Sequence, residues 1–157
     1  MKKALFLDRD GTINVDKGYV YKPEDFILID GITDAISRYN QDGYLVVVVS
    51  NQAGVARGYY SESDVVALHE YADSLLLKFN ARVDKWYYCP HHPEFGIGKY
   101  KTDCNCRKPK TGMLEQAIAE FDIDIKQSLL VGDKPWDMEC GEKIGIRSIY
   151  VDDFLKK

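Results

Sequence analysis

Two aspartates stand close together near the start of the chain, in the stretch FLDRDGTIN. Asp8 and Asp10 are two residues apart, and they directly follow the short apolar run Ala4–Leu7. Two like charges at the end of a buried strand are unfavourable unless positive charge comes to them. This stretch therefore predicts that a cation or a basic group is bound at the end of the first strand.

Other polar side chains come where further apolar runs end. Ser50 follows the second run, Lys108 lies in the loop after the third, and Asp133 follows the fourth. In a parallel sheet the carboxyl ends of all strands lie at one edge, and ligands bind beyond that edge. We therefore expect carboxylates, a hydroxyl group and a lysine to be gathered into one site.

The elements that must position these residues are short strands alternating with helices. Continuous apolar runs, which are typical of strands buried on both faces, occur at Ala4–Leu7, Leu45–Val49, Trp86–Tyr88, Ser128–Val131 and Ser148–Val151. Helical periodicity occurs at Gly31–Asn40, Ser61–Phe79, Thr111–Phe121 and Asp137–Ile144, with Ser61 and Thr111 as predicted N-caps. This alternation predicts an α/β fold with a doubly wound, Rossmann-like, mainly parallel sheet and helices on both faces.

Length and composition set the class of protein. A chain of 157 residues, 45% of them hydrophobic, is about one domain long, so residues 1–157 are expected to form a single domain. A net charge of −4 gives no reason to expect nucleic acid or an anionic membrane as a partner. No stretch approaches the roughly 20 apolar residues that span a bilayer. We expect a cytoplasmic protein, and a monomer.

The four polar strand ends together resemble the motifs of the haloacid dehalogenase (HAD) superfamily. The residues that carry the resemblance are the D-x-D-G-T stretch, the strand ending in Ser50, Lys108, and the late acidic pair of Asp133 and Asp137 in G-D-x-x-x-D. The resemblance implies a phosphatase whose nucleophile is Asp8 and whose general acid and base is Asp10. It also implies Mg²⁺ bound by the side chains of Asp8 and Asp133 and the backbone carbonyl of Asp10, with Ser50 and Lys108 holding the phosphoryl oxygens.

A cluster of cysteines and histidines precedes Lys108, in the stretch CPHHPEFGIGKYKTDCNC. Cys89, His91, Cys104 and Cys106 make a Cys₃His set, which is the pattern of structural zinc. With four protein ligands no position stays open for water, so this zinc would hold the loop together rather than take part in catalysis. The alternatives are reduced thiols or a disulfide, and His92 is a rival ligand to His91.

The two histidine and cysteine residues outside that cluster have simpler interpretations. Cys140 lies on a predicted helix and is expected in the core. His69 lies in the middle of another predicted helix and is expected at the surface or its boundary.

Two zinc-loop phosphatase families resemble this layout, one acting on histidinol phosphate and one on D-glycero-D-manno-heptose 1,7-bisphosphate. The stretches DRDGTIN, NQAGVARG and CPHHP look like the heptose family. That likeness implies substrate contacts at Asp16, Gly18, Tyr19, Asn51, Gln52, Arg107 and Lys134. Arg107 suits a second phosphate, because its planar group binds anions in a bidentate manner.

The spacing between the motifs leaves no room for a cap domain, so the site should be covered only by the flap Asn14–Tyr21 and the cysteine loop. Three alternatives to the heptose phosphatase stay open: a histidinol-phosphate phosphatase, a non-catalytic phosphate- or zinc-binding relative, and a phosphatase of DNA ends. The acidic charge balance disfavours the last of these.

Overall fold

The computed structural model describes residues 1–156 and contains one five-stranded parallel sheet. The strand order is β3-β2-β1-β4-β5, with β1 in the centre and every neighbouring pair parallel. The strands are β1 (Ala4–Leu7), β2 (Leu45–Asn51), β3 (Lys85–Cys89), β4 (Leu129–Gly132) and β5 (Arg147–Tyr150). The predicted parallel α/β fold is confirmed, and β2 and β3 extend further toward the site than their apolar runs did.

Within residues 1–156, six helices connect or follow the strands. They are α1 (Ile32–Gln41), α2 (Ala53–Ala56), α3 (Glu62–Leu77), α4 (Gly112–Phe121), α5 (Pro135–Ile144) and α6 (Val151–Leu155), with 3-10 turns at Pro23–Asp25, Gly98–Tyr100 and Ile125–Gln127. The short helices α2 and α6 were not predicted, because four or five residues are too few to show helical periodicity. Val151 begins α6 instead of ending β5.

The two predicted N-caps turn out differently. Ser61 and Asp64 form a capping box at the start of α3: the Ser61 hydroxyl accepts from the Asp64 N–H at 3.1 Å, and the Asp64 carboxylate accepts from the Ser61 N–H at 2.9 Å. Thr111 occupies the N-cap position of α4, but its side chain makes no capping bond. Its hydroxyl donates to the Glu115 carboxylate at 3.2 Å instead, since its ψ of 9° lies outside the extended region that directs a cap inward.

The core lies on both faces of the sheet, because side chains alternate along each strand. Leu5 and Leu7 of β1 face a layer built from α1, α3 and α6, whereas Phe6 faces a layer built from α4 and α5. Cys140 of α5 lies in the second layer and is 1% exposed, as predicted.

The connections between strands hold helices and loops but no inserted cap domain, as the motif spacing predicted. The carboxyl edge of the sheet is therefore bordered by loops and helix starts rather than covered by a separate domain. Within residues 1–156, no helix is both long and apolar enough to cross a membrane.

Candidate active site

A pocket of about 320 Å³ opens at the carboxyl edge of the sheet. Its walls come from the loop after β1, the end of β2, the loop before α4 and the start of α5. All of the residues that the sequence assigned to catalysis, Mg²⁺ and substrate line this pocket, with one exception: Asp8, Asp10, Asp16, Gly18, Tyr19, Asn51, Gln52, Arg107, Lys108, Asp133 and Lys134. The exception is Ser50, which is 1% exposed; its hydroxyl accepts a hydrogen bond from the Gln52 side chain at 2.7 Å.

Lys108 lies at the floor of the pocket, with 2% of its side chain exposed. Its ammonium group donates to Asp8 at 3.0 Å, to Asp137 at 2.6 Å and to the Val49 carbonyl at 2.8 Å. Burial opposes the charge on Lys108, but the two carboxylates outweigh burial and raise its pKa. Lys108 therefore stays a cation at any physiological pH.

Asp137 received no role of its own from the sequence, although it is the second acid of the G-D-x-x-x-D stretch. It is fully buried, and one carboxylate oxygen pairs with Lys108 while the other accepts from the Lys134 N–H at 3.2 Å. Its position four residues after Asp133 was the signal that could have found it. Asp137 supplies the charge that holds Lys108 in place.

Asp8 and Asp133 carry the two carboxylates that could hold a divalent cation. Burial raises the pKa of Asp8 to about 7, Lys108 opposes this shift, and Asp137 adds to it. Burial also raises the pKa of Asp133, and no group within residues 1–156 donates a hydrogen bond to its buried Oδ1. One oxygen from each of Asp8, Asp133 and Asp137 lies within 4.8 Å of the others.

These residues fit Mg²⁺, which prefers a few carboxylate oxygens together with phosphate and water. Both oxygens of Asp137 are already bonded, one to Lys108 and one to the Lys134 N–H, whereas the bonds that Asp8 accepts all go to its Oδ1. Asp8 and Asp133 are therefore the better ligands. Gly11 is needed beside them: its φ is 88°, and a Cβ there would overlap the Asp133 carboxylate.

The side chain of Asp10 is held from several sides. Arg9 binds both of its oxygens, Asn14 donates to Oδ1 at 2.9 Å, and Gln52 donates to Oδ2 at 3.0 Å. Gln52 also accepts from the Tyr60 hydroxyl at 2.6 Å. Gln52 therefore orients the Asp10 side chain, and it also borders the space for a ligand.

Asn51 plays a comparable part for Lys108. Its side chain accepts from the Lys108 N–H at 2.9 Å and donates to the Lys108 carbonyl at 3.2 Å. This pair of bonds joins the end of β2 to the loop that carries Arg107 and Lys108. Asn51 lines the pocket, as predicted, and it also fixes the backbone of the lysine.

The flap contributes three exposed residues to the mouth of the pocket. The Asp16 carboxylate accepts from the Gly18 N–H at 2.9 Å, which closes a tight turn. Tyr19 has a positive φ of 52°, and its ring packs edge-on against Tyr59 with centroids 4.8 Å apart. Trp136 of α5 also borders the pocket and had no signal in the sequence beyond its place in the acidic motif.

The sequence-based expectation for His69 is wrong. His69 is not at the surface: it is 5% exposed, its ring stacks on Trp86, and its Nε2 lies 3.3 Å from the Arg9 guanidinium. Arg9 itself is fully buried, which was not predicted for an arginine between two aspartates. The reason is that α3 packs over β3, and this packing turns His69 toward the site.

The Cys₃His set forms a compact cluster beside the pocket. The three sulfurs lie 2.7–3.4 Å apart, and His91 Nδ1 lies 3.5 Å from Cys106 and 3.6 Å from Cys89. No cysteine within residues 1–156 is in a disulfide. The hydrogen bond between Cys106 and Cys89 lowers the pKa of Cys106 to about 5 and raises the pKa of Cys89, so the two thiols share one proton until a metal displaces it.

The four donor atoms fit a closed tetrahedral zinc site. With Zn–S bonds of about 2.3 Å, the sulfurs of such a site are about 3.8 Å apart. The sulfurs of this cluster, at 2.7–3.4 Å, would have to move apart by about 0.4–1.1 Å to reach that separation. His92 is not part of the cluster: its Nδ1 accepts hydrogen bonds from the N–H groups of Glu94 and Phe95 at 3.1 and 3.0 Å.

Comparisons with known proteins identify the family of this chain. A family model described as HAD-hydrolase-like matches residues 105–153. The D-glycero-beta-D-manno-heptose-1,7-bisphosphate 7-phosphatase of Haemophilus influenzae is 52% identical over 141 residues, which cover 90% of this chain and 76% of that protein. The D-glycero-alpha-D-manno-heptose-1,7-bisphosphate 7-phosphatase of Burkholderia mallei is 47% identical over 144 residues, which cover 92% of this chain and 76% of that protein.

A solved structure shows the same fold. The D,D-heptose 1,7-bisphosphate phosphatase from B. bronchiseptica, crystallised with magnesium and phosphate, matches with a TM-score of 0.84 and 32% identity. The match covers 93% of this chain and 78% of that one. The family predicted from the motifs is confirmed: the chain belongs to the D-glycero-D-manno-heptose-1,7-bisphosphate 7-phosphatases of the HAD superfamily, a family of phosphoric monoester hydrolases.

Proposed function

We propose that this protein removes the 7-phosphate of D-glycero-D-manno-heptose 1,7-bisphosphate in a Mg²⁺-dependent reaction that passes through an aspartyl-phosphate. The observation that carries this proposal is the floor of the pocket. There the buried cation Lys108 contacts Asp8, and the Asp133 carboxylate stands beside them with an oxygen that nothing within residues 1–156 satisfies. Such a floor binds a phosphoryl group and a divalent cation together.

In the first step an oxygen of the Asp8 carboxylate forms a bond to phosphorus, and the bond from phosphorus to the sugar oxygen breaks. Asp10 gives its proton to the departing alkoxide. In the second step water attacks the same phosphorus, Asp10 takes a proton from that water, and the bond to Asp8 breaks. Inorganic phosphate leaves, and both carboxyl groups return to their starting states.

The remaining groups position the phosphoryl group and neutralise its charge. Lys108 supplies positive charge to its oxygens, and the Asn51 side chain fixes the backbone of Lys108. Ser50, which is buried and bonded to Gln52, would hold an oxygen once its hydroxyl exchanges that bond for one to the phosphoryl group. Mg²⁺, held by Asp8, Asp133 and the backbone carbonyl of Asp10, would supply positive charge for the phosphoryl oxygens. Phosphoryl transfer depends mainly on such positioning and charge.

The pocket also suits a substrate with a second phosphate. Arg107 lines the wall next to Lys108, and its buried Nη1 has no hydrogen-bond partner within residues 1–156. Lys134, between β4 and α5, adds a positive charge to the pocket lining. Asp16, Gly18 and Tyr19 of the flap offer a carboxylate and backbone groups for the sugar hydroxyls. An open mouth without a cap domain leaves room for a seven-carbon bisphosphate.

The contribution of Arg107 can be measured by comparing two substrates. Arg107→Ala is expected to lower kcat/KM for heptose 1,7-bisphosphate by about 10- to 100-fold, because a lost contact to a charged group costs roughly 1.5–3 kcal/mol. Histidinol phosphate has only the phosphate that reacts, so its kcat/KM should change much less. Steady-state kinetics with both substrates give the ratio.

The exposed Arg82→Ala variant, at the opposite edge of the sheet, serves as the control and should leave both values unchanged. A wild-type preference for histidinol phosphate would overturn the substrate assignment. An unchanged ratio in Arg107→Ala would overturn the role of Arg107 alone.

The cysteine cluster is proposed to bind one structural Zn²⁺. Loss of this zinc should lower activity indirectly, through the loop that carries Lys108. Cys104→Ser should lower the bound zinc from about one ion per chain to near zero, loosen the loop that ends at Lys108, and reduce turnover. Elemental analysis and limited proteolysis measure the first two effects. Cys140→Ala, which removes the cysteine outside the cluster, is the matched control and should keep its zinc. Zinc-free protein with a protease-resistant loop and full activity would contradict this proposal.

A further inference from the structure

Arg9 stands between the two aspartates of the site in the sequence, and it places a positive charge inside the protein. Its residue is fully buried, and burying a charge is costly unless it is paired and hydrogen-bonded. Within residues 1–156, its ion-pair partner is Asp10. Its Nη2 lies 3.0 Å from each oxygen of that carboxylate, and its Nε lies 3.2 Å from Oδ1. This arrangement restricts the rotation of the Asp10 side chain.

The same guanidinium group reaches the flap. Its Nη2 donates to the Val20 carbonyl at 2.7 Å. Val20 is buried, although residues 15–19 of the flap are exposed. Because one nitrogen of Arg9 contacts both the Asp10 carboxylate and the Val20 carbonyl, the base of the flap and the Asp10 side chain are held in a fixed relation.

The other terminal nitrogen of the Arg9 guanidinium group contacts a histidine. Nη1 of Arg9 lies 3.3 Å from Nε2 of His69. Burial, with the charge of Arg9 as a second cause, lowers the pKa of His69 to about 3, so the ring is neutral and Nε2 can accept a hydrogen bond. The ring stacks on Trp86 with centroids 4.3 Å apart, and the Trp86 indole donates to Asp73 at 2.8 Å. His69 is therefore a fixed acceptor.

We propose that Arg9, seated on His69, is a positioning residue that holds the Asp10 carboxyl group at the oxygen of the departing alcohol and ties it to the flap. The proposal rests on the acid–base role given to Asp10 under the proposed function, and it does not depend on which sugar is the substrate. Arg9 and His69 take no proton and form no bond in the reaction; they act through Asp10.

The acidity of the leaving group separates positioning from general structural support. The probes are p-nitrophenyl, phenyl and p-methoxyphenyl phosphate, whose leaving phenols are progressively weaker acids and need protonation progressively more. The value of kcat/KM reports only steps up to the first transfer of the phosphoryl group, so the second role of Asp10, as base, does not enter it. Loss of a well-placed acid should therefore steepen the decline of kcat/KM along this series.

The variants are Arg9→Lys, which keeps the charge but loses the fork of donors, and His69→Phe, which keeps a flat ring but loses the acceptor. Arg9→Lys should lower kcat/KM by roughly 10- to 100-fold for p-methoxyphenyl phosphate and by only a few-fold for p-nitrophenyl phosphate. His69→Phe should also lower kcat/KM for both aryl phosphates, and by smaller factors than Arg9→Lys. His69→Gln, which restores an acceptor, should return toward the wild-type slope.

Asp10→Asn is the reference, and Arg82→Lys is the control, because Arg82 forms an exposed pair with Asp84 at 2.8 Å. A steeper slope in Asp10→Asn and Arg9→Lys supports the proposal. A steep slope in Asp10→Asn with a parallel, uniform loss in Arg9→Lys overturns it. An unchanged slope in Asp10→Asn overturns the acid role of Asp10 itself. If Arg9→Lys does not fold, the contrast between His69→Phe and His69→Gln decides, and equal slopes in these two overturn the proposal.

Discussion

Asp8→Asn is expected to leave no measurable phosphate release, a loss of about 10⁴-fold or more, because an amide cannot attack phosphorus to form the covalent intermediate. The variant should still fold, since Asp137 remains to neutralise Lys108. The substitution also removes a carboxylate whose pKa burial raises to about 7. Phosphate release from heptose 1,7-bisphosphate measures the loss.

The covalent step can be observed directly. Wild-type protein quenched in acid during turnover should carry a phosphoryl group on Asp8, seen by intact mass and peptide mapping, whereas Asp8→Asn should carry none. Asp34→Asn, an exposed change on α1, is the control for loss of one negative charge. Turnover near the wild-type rate in Asp8→Asn would rule out the aspartyl-phosphate mechanism.

Asp10→Asn should behave differently from Asp8→Asn. Its turnover should fall by roughly 10²- to 10⁴-fold, the usual contribution of general acid–base catalysis, while Mg²⁺ and substrate binding change little, because the proposed metal contact of Asp10 is through its backbone. Titration calorimetry with Mg²⁺ and KM values test this separation. A large loss of Mg²⁺ affinity in Asp10→Asn would place its side chain on the metal instead.

Lys108→Met is expected to lose both activity and stability. Turnover should fall by about 10²- to 10³-fold, the usual effect of removing one group that stabilises charge in the transition state. The free energy of unfolding should fall by about 3–5 kcal/mol, because Asp137, fully buried, is left without its cation. Phosphate release and urea unfolding measure the two losses.

A double variant separates the two roles of this lysine. Adding Asp137→Asn to Lys108→Met removes the unpaired buried charge, so most of the stability should return while turnover stays low. Lys85→Met is the matched control, because the Lys85 side chain is 43% exposed and its ammonium group lies 3.7 Å from Glu120. This variant should change neither quantity much. Recovery of activity together with stability in the double variant would show that Lys108 acts only through folding.

The position of the site could be read from the sequence because it depends on little more than the parallel direction of the strands. Asp8, Ser50 and Asp133 each come at the carboxyl end of an apolar run, and in a parallel sheet these ends share one edge whatever the strand order. The actual order, β3-β2-β1-β4-β5, therefore did not have to be known. The cysteine cluster could also be predicted, since Cys89, His91, Cys104 and Cys106 lie within 18 residues of the chain.

The partners inside the site were decided only by the tertiary structure. The pairs Lys108–Asp137, Asn51–Lys108 and Arg9–His69 are separated by 29, 57 and 60 residues along the chain. Each depends on how one helix or loop packs against the sheet, and periodicity shows which face of an element is buried but not which side chain lies opposite it. His69 illustrates this limit, because a polar residue in a helix is usually exposed.

The sequence by itself thus determined the parallel α/β fold, the edge at which the carboxylates gather and the family to which the chain belongs. These follow from local apolar runs and from motifs that are short along the chain. Only the tertiary structure showed that Arg9 and Lys108 are buried cations and which carboxylates neutralise them. The physical reason is that a buried charge is tolerated only where packing brings an opposite charge within hydrogen-bond distance, and that packing is a property of the whole fold.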